Sequence, residues 1–565
     1  MRGLLPGNDD FMRLQQIRDL LAGQAWFDVS QSRILSPEGG AMHWSRLPDL
    51  PVALLILILS PVFGGPLAEA LSVTIWPIAL AMGCLAMIAK IVERVGLPML
   101  AQACALVCFL GPASIGNFTP GRIDHHGLLI FLTLVGFAAL VSRDRTRQSA
   151  IVFGVVVALL ATTALEGLIY AVILIGLLGL SWIAAGHHEA ERMTLIGGTI
   201  FLSAPILFLL DAPGPWRGVS QCDAYGFPYM SALMIGGALL IALAIFASRF
   251  IDVRHRLGFG LLAGAVTLAV FAQLPPGCLG DPYATLPDSV REMWLNNVSE
   301  AQNMFQASAV DLSLAVSRYG FISVGLIAAI VLLANADQDD RLSRFLLLCA
   351  LMAMAILSAW QIRGASFAAS FAAISAGGLI GQLLYDWRKK RGGVRAAAAF
   401  AGVLLLAPGN WGVFGDRLEG PVGNSASPKP STTCREPAFY KELDALTPAR
   451  IMAPVDLGTI LLIHTKHQVY AGPYHRNPQG IEAVGSIYSA PADQSLLALS
   501  DVEAEYLLFC PGLGETNQYL KNAKLSLAAR IDRGESIDWL DPIRGESGLE
   551  GKPVLYKISY PQTGN

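Results

Sequence analysis

The stretch "GRIDHHGLLIF" at residues 121–131 sets Asp124, His125 and His126 directly in front of a long apolar run. Three side chains suited to binding metal thus stand at the mouth of a hydrophobic helix. Their meaning depends on which side of a membrane they face, and on what else faces that side.

That a membrane is involved follows from composition. The chain has 565 residues, 53% of them hydrophobic and 15% charged, with a mean hydropathy of +0.51. Soluble domains carry about 25% charged residues. Apolar runs recur from Val73 to Trp411, each long enough to cross a hydrocarbon core of about 30 Å as a helix. Backbone groups in lipid must be paired within their own segment, so the spans are expected to be helical. Twelve are expected, near 73–92, 97–115, 126–142, 149–166, 168–186, 193–211, 228–248, 257–275, 318–335, 344–360, 364–385 and 395–412. The shorter run at 50–65, broken by Pro61, Gly64 and Gly65, reads as an interfacial or re-entrant helix.

The opening "MRGLLPGNDDFMRLQQ" has no apolar core and no small-residue cleavage site, so the first apolar span is expected to direct membrane targeting. Positive charge then orients the set. One group of connections holds Lys90, Arg94, Arg143 to Arg147, Arg192, Arg249 to Arg256, Arg341, Arg344 and the run "RKKRGGVR" at 388–395. The opposite connections hold only Arg122, Arg217, Arg291, Arg318 and Arg363. The first group is therefore read as cytoplasmic. The N-terminal segment, "GRIDHHG", the 276–317 loop, "WQIRG" and the C-terminal region then lie outside, in a multi-pass protein of the inner (plasma) membrane.

Four divisions follow: an extracytoplasmic loop with an interfacial helix (1–72), a transmembrane domain (73–412), a linker (413–433) containing "GPVGNSASPKPSTT", and an extracytoplasmic domain (434–565). The last reads as α/β. "ARIMAPV" and "HQVYAGP" resemble strands around a short helix "LGTILLIHT"; "AEYLLFC" and "VLYKIS" are further strands, with a helical "TNQYLKNAKLSLAARI" between them. Cys84, Cys104, Cys108 and Cys349 fall in apolar runs and read as packing residues. Cys434 with Cys510, and Cys222 with Cys278, lie outside the cytoplasm, where they either pair or remain free thiols.

Three acidic clusters share the outer face: "NDDFMRLQQIRD" with Asp9 and Asp10, "RIDHHG" with Asp124 and His126, and "NNVSEAQN" with Glu300. Singly, each has an ordinary explanation as a solvated loop or an interfacial anchor. Together, carboxylates and a neutral imidazole suit a divalent ion such as Mg²⁺ or Mn²⁺. Such an ion neutralises a departing phosphate, and Arg363 at a helix mouth would hold that phosphate as a fixed cation.

These motifs resemble those of the catalytic subunit of oligosaccharyltransferase, a polytopic glycosyltransferase of the GT-C class. The family has an Asp in its first external loop with Arg nine residues on, as Asp9 and Arg18 stand in "DDFMRLQQIR". Its second loop carries D-x-D, D-x-E or D-x-H before a span, which "GRIDHHG" matches with Asp124 and His126. "NVSEAQ" is similar to the family's "SVSE" type motif, with Glu300 in the essential place, and Arg363 in "WQIRGASFA" occupies the place of the family's pyrophosphate-contacting Arg. The resemblance runs along nearly the whole chain, although each motif is short. It implies a GT-C-like helical membrane domain of about twelve spans followed by a small extracytoplasmic α/β domain. It also implies metal ligands Asp9, Asp124, His126 and Glu300, and catalytic roles for Asp9, Asp124 and Glu300.

Two departures matter. The family reads the acceptor Ser/Thr with "WWDYG"; here the matching place is "PVDLG", where Asp456 and Gly458 persist but Pro454 and Val455 replace both tryptophans. Asp456 is thus the expected acceptor-binding residue, with sequon recognition weakened. The family's first loop also follows a transmembrane helix, whereas Asp9 stands close to Met1, so either this protein dispenses with that helix or, as the favoured expectation, one lies upstream of Met1. Downstream, "HTKHQVYAGPYHRN" supplies His464, His467, Tyr474, His475 and Arg476, either lining an acceptor or glycan groove or making a domain–membrane contact.

The expected activity is transfer of a sugar or oligosaccharide from a polyprenyl-phosphate or polyprenyl-pyrophosphate donor to an extracytoplasmic protein, lipid or polysaccharide, with no nucleic-acid partner. A transporter or lipid flippase is the alternative from another class. Such proteins place ionisable groups near the bilayer midplane, whereas most charges here sit at span ends, with Glu166 toward the outer face.

Overall fold

A computed structural model describes all residues except 1–4, 36–38, 145, 212–221, 250–251, 276–277, 282, 391–392, 420–431, 523–524, 545–551 and 562–565. Most of the expected linker, and Arg217 with it, therefore lies outside the described residues; its first part belongs to helix Pro408–Glu419.

Every expected span coincides with helix, but the count of twelve is not met by length and composition. Seven described helices are long and apolar enough to cross a membrane, or up to nine if each sharply bent pair counts as one. The reasons are local. Helices His125–Leu140 and Arg147–Thr163 have 16 and 17 residues, short of the roughly 20 that a straight crossing needs. Helices Leu165–Ala185 and Ala190–Asp211 form one long apolar stretch, Leu165–Asp211. The expected 97–115 span bends by 64° between Met99–Phe109 and Pro112–Phe118, and the last by 59° between Ala396–Leu406 and Pro408–Leu418. Pro112 and Pro408 each open the second half of their pair, where a proline cannot continue the preceding hydrogen-bond ladder.

The 50–65 run forms helix Asp49–Phe63, with Pro61 inside it and Leu57, Ile58 and Val62 exposed. Gly64, at φ 76°, separates it from helix Gly65–Arg94, which starts earlier than the expected Val73.

The C-terminal region carries a five-stranded sheet of β1 (Arg450–Met452), β2 (Gln468–Val469), β3 (Tyr506–Phe509), β4 (Leu540–Arg544) and β5 (Val554–Ile558), in the order β2-β1-β3-β5-β4. β1 is parallel to β2 and β3, and β5 is antiparallel to β3 and β4. Of the two alternatives left open for the outer cysteines, pairing is the one observed: Cys222–Cys278 and Cys434–Cys510 are disulfides.

The N-terminal helix Asn8–Leu21 belongs to the core of this C-terminal region. Phe11, Met12, Leu14 and Ile17 share one buried cluster with Leu457, Ile460, Leu461 and the Cys434–Cys510 bridge. Burying four such side chains stabilises the docking by several kcal/mol, at roughly 25 cal/mol per Å². Polar ties fix the register. Arg13 pairs with Asp49 at 2.9 Å with both side chains buried, and its guanidinium lies 4.5 Å from the Trp44 ring centroid. Arg18 joins Glu69 at 2.6 Å and donates to the Ile463 carbonyl at 2.7 Å. The first loop, the first long helix and the C-terminal domain are thereby locked around one place.

Candidate active site

That place is a cavity of about 1240 Å³ walled by both the membrane helices and the C-terminal domain. Asp9, His126, Glu300, Arg363 and Asp456 all line it.

Asp124 answers the question raised by "GRIDHHG". It is the N-cap of helix His125–Leu140, accepting the His126 backbone N–H at 3.0 Å. An N-terminus favours a negative group through its unpaired N–H donors. The cap therefore sets the carboxylate at the helix mouth and starts His125 and His126 on the first turn. The other Asp124 oxygen meets Arg122 at 2.9 Å and His126 Nδ1 at 3.1 Å. Although burial works against it, His126 and Arg122 hold the Asp124 carboxyl well below the usual carboxylate range.

The two N-terminal acids part company. Asp10 points inward, accepting backbone N–H bonds from Ile123 at 2.8 Å and Asp124 at 3.0 Å, with Arg122 at 3.3 Å. Burial and then the Asp124 charge push its carboxyl up to about 8. Asp9 faces the cavity, its carboxyl raised by burial and by Glu300. Glu300 sits on a 3-10 turn, Ser299–Ala301, that docks through the Ile362 N–H to the Gln302 carbonyl at 2.9 Å. Its side chain is 47% exposed and stands 3.6 Å from Arg122. Arg122 is thus shared by Asp10, Asp124 and Glu300, and these acids keep it above the usual arginine range despite its burial.

Glu166 enters the same cluster. Helix Arg147–Thr163 ends at the extended residue Ala164, and helix Leu165–Ala185 begins immediately afterwards. The turn is tight enough that a Cβ on Gly167 would lie 1.9 Å from the Leu160 carbonyl oxygen, so only glycine fits there. Glu166 is thereby aimed at three groups: Arg363 at 2.9 Å, His125 at 3.1 Å and His126 at 3.5 Å.

Asp124 Oδ2, both His126 ring nitrogens and Glu166 Oε2 are buried, and beyond the ion pairs just given they make no hydrogen bond among the described residues. Carboxylate oxygens and imidazole nitrogens grouped in this way fit the ligand set of a cation. The ligand atoms of His125, His126 and Glu166 lie within 4.8 Å of one another. Of the expected ligands, Asp124 and His126 stand together, and Asp9 and Glu300 face the same cavity from outside that tight group. A second group, His43, Asp223 and His475, is equally close.

On the opposite wall, Asp456 lies in the first turn of helix Val455–His464. Asn8 bridges it to the first loop, donating to Asp456 at 3.3 Å and accepting from Thr459 at 3.0 Å. Gly458 lets this helix press on the segment just after β2, since a Cβ there would meet the Ala471 carbonyl oxygen at 1.9 Å. Glu515 accepts the Val455 and Asp456 backbone N–H groups at 2.9 and 3.0 Å, and Tyr519 donates to it. The His-rich strip divides. His467 is structural, bonded to Ala449 N–H and the Leu443 carbonyl, and His464 packs edge-on against Phe11. Tyr474 and His475 line the cavity. Arg476 grips Asp223, next to the Cys222 bridge, at 2.7 and 2.8 Å.

Sequence reading named Asp10 and His125 beside the candidates without giving them a role, and it passed over Arg122, Glu166 and Glu515 as site residues. One of them had a visible signal: Glu166 is the only charged residue between Ser149 and His188, and an ionisable group in such a run is unusual.

No protein-family model matches the sequence, and no curated protein matches it. Solved structures do match. Archaeal oligosaccharyltransferase AglB from Archaeoglobus fulgidus, in complex with an inhibitory peptide and a dolichol-phosphate, gives a TM-score of 0.65 at 15% identity, over 99% of this chain and 71% of that one. The Archaeoglobus fulgidus enzyme tethered to an acceptor peptide with the NVT sequon gives 0.65 at 15% identity, over 93% and 67%. Its complex with Zn and sulfate gives 0.60 at 15% identity, over 99% and 70%. The chain therefore has the fold of these solved structures, the fold expected from the motifs.

Proposed function

We propose that the protein is a membrane glycosyltransferase that moves a sugar or oligosaccharide from a polyprenyl-phosphate or polyprenyl-pyrophosphate donor to an extracytoplasmic acceptor. The observation that carries this reading is convergence: segments around Asp9, Asp124, Glu300, Arg363 and Asp456, far apart in sequence, meet on one cavity. The likeness to an oligosaccharyltransferase described with a dolichol-phosphate agrees with it.

The cavity has two chemically different ends. Arg363, His125 and His126 form the donor end, where Arg363 binds the departing phosphate as a fixed, forked cation. Asp9 and Asp456 lie toward the acceptor end, and Asp9 or Glu300 orients the acceptor nucleophile and takes up its proton. Asp9, Asp124, His126 and Glu300 are the proposed ligands of a divalent ion, Mg²⁺ or Mn²⁺. When bound, such an ion supplies charge stabilisation to the leaving phosphate. The C-terminal domain is assigned to the extracytoplasmic side by the distribution of Lys and Arg. Cysteine labelling near Asp456, with the 386–395 loop as the internal control, tests that side.

A second reading of the acceptor has its own support. Pro454 and Val455 are buried where the family's tryptophans stand, so a lipid or polysaccharide hydroxyl is the favoured acceptor over a sequon. The deciding assay uses purified protein, a labelled polyprenyl-linked glycan, and peptide, lipid and polysaccharide acceptors. Label appearing on an acceptor supports the reading. Absence of transfer to all three classes, together with no binding of polyprenyl phosphate, overturns it.

A further inference from the structure

We propose that Glu166 is a positioning residue for the donor phosphate, a role that rests on the glycosyltransferase reading above. The observation is a single carboxylate that touches each nitrogen-bearing group of the donor end. Oε1 accepts from Arg363 Nη1 at 2.9 Å and lies 3.1 Å from His125 Nε2. Oε2 lies 3.5 Å from His126 Nε2 and is buried without a hydrogen bond. The His125 and His126 rings stack at 4.4 Å, and Glu166 spans the edges of both.

Without Glu166 these groups have no common anchor. Among the described residues, the Arg363 guanidinium has one further hydrogen bond, a long 3.5 Å approach to the Glu300 carbonyl. A flexible guanidinium that loses its carboxylate also loses the geometry that turns its fork toward a phosphate. Glu166 itself is held firmly. It lies in the first turn of helix Leu165–Ala185, behind the break at Ala164, with Gly167 pressed on the preceding helix. The acid thus acts through Arg363 and the histidines and has no need to touch the sugar.

A double-mutant comparison separates positioning from general structural damage. The probe is undecaprenyl phosphate, titrated into the purified full-length chain in lipid nanodiscs, alongside steady-state transfer and thermal melting. Glu166→Gln is expected to weaken undecaprenyl phosphate binding and to lower kcat/KM for donor by about 100-fold, the scale of a misplacement near 1 Å, with melting little changed. In an Arg363→Ala background the same substitution should cost markedly less than in the wild type, because the arginine that Glu166 positions is already gone and only its contacts to His125 and His126 remain. If Glu166→Gln does not fold, Glu166→Asp carries the same comparison, since it keeps the charge but withdraws it by one methylene.

Equal losses in both backgrounds, or wild-type binding by Glu166→Gln, would overturn the role of Glu166 while leaving the glycosyltransferase reading intact. Failure of the wild-type chain itself to bind undecaprenyl phosphate or transfer sugar would overturn both.

Discussion

Asp10 and Asp124, separated by 114 residues, are joined through one carboxylate oxygen: Asp10 Oδ1 accepts the Asp124 backbone N–H at 3.0 Å. The same oxygen takes the Ile123 N–H at 2.8 Å. This clamp brings the N-terminal segment to the loop before helix His125–Leu140, and the neighbouring Asp9 faces the cavity.

Removing the clamp should therefore damage stability and activity together. Asp10→Ala leaves two buried N–H groups and part of Arg122 unpaired, at a cost of at least about 2 kcal/mol. Asp10→Asn keeps an acceptor oxygen and should lose less. Melting in detergent and transfer assays on the same preparations check the order: wild type, then Asn, then Ala.

Asp124 needs a different substitution, because its side chain also caps a helix. Asp124→Asn retains a capping oxygen while removing the charge, so melting should change little and transfer should be abolished. Glu300→Ala, on a half-exposed side chain, should likewise abolish transfer without unfolding. Chelation should silence the wild type, and Mn²⁺ or Mg²⁺ should restore it; bound metal measured by elemental analysis should fall in Asp124→Asn. Full transfer in either single variant would remove that residue from the site.

Glu515 predicts a pH effect. Burial first, and then the charge of Asp456, push its carboxyl up to about 7. The folded chain therefore holds this proton more tightly than the unfolded chain, whose glutamate titrates near about 4.3. The associated stability is complete below the unfolded value and is lost as pH rises toward 7. Glu515→Gln should flatten the melting temperature across that window, and an unchanged slope would assign it to other groups.

The acceptor prediction concerns "PVDLG". Pro454 and Val455 are buried in place of two tryptophans, so on the reading proposed above much of the surface that would hold a sequon hydroxyl is missing. Discrimination against a missing hydroxyl arises from site groups left unpaired, so it falls with them. Transfer to an Asn-x-Thr peptide should differ little from transfer to its Asn-x-Ala counterpart. A strong preference for the Thr peptide would show that hydroxyl recognition survives by another route.

Much of the architecture was legible in the linear chain. Apolar runs mark the helices because lipid leaves backbone groups no external partner. Short strand-like segments mark four of the five C-terminal strands, Leu540–Arg544 going unread, and "GRIDHHG" marks a helix mouth, where Asp124 proves to bond only two residues away. The span count was less legible. Hydropathy measures apolar length, whereas the breaks at Pro112, Ala164 and Pro408 decide where a helix bends or restarts.

The sequence by itself determined the membrane class, the helical segments and the candidates Asp9, Asp124, His126, Glu300, Arg363 and Asp456, while the choice between disulfides and free thiols for the outer cysteines came from the structure. Only the tertiary structure decided their roles toward one another. It separated Asp10 from Asp9, gave Arg122 to three carboxylates, and set Glu166 between Arg363 and two imidazoles. Local motifs are readable because their hydrogen bonds close over a few residues. The Asn8–Asp456 and Glu166–Arg363 contacts close over 448 and 197 residues, so they depend on how the helices pack and leave no local periodicity in the chain.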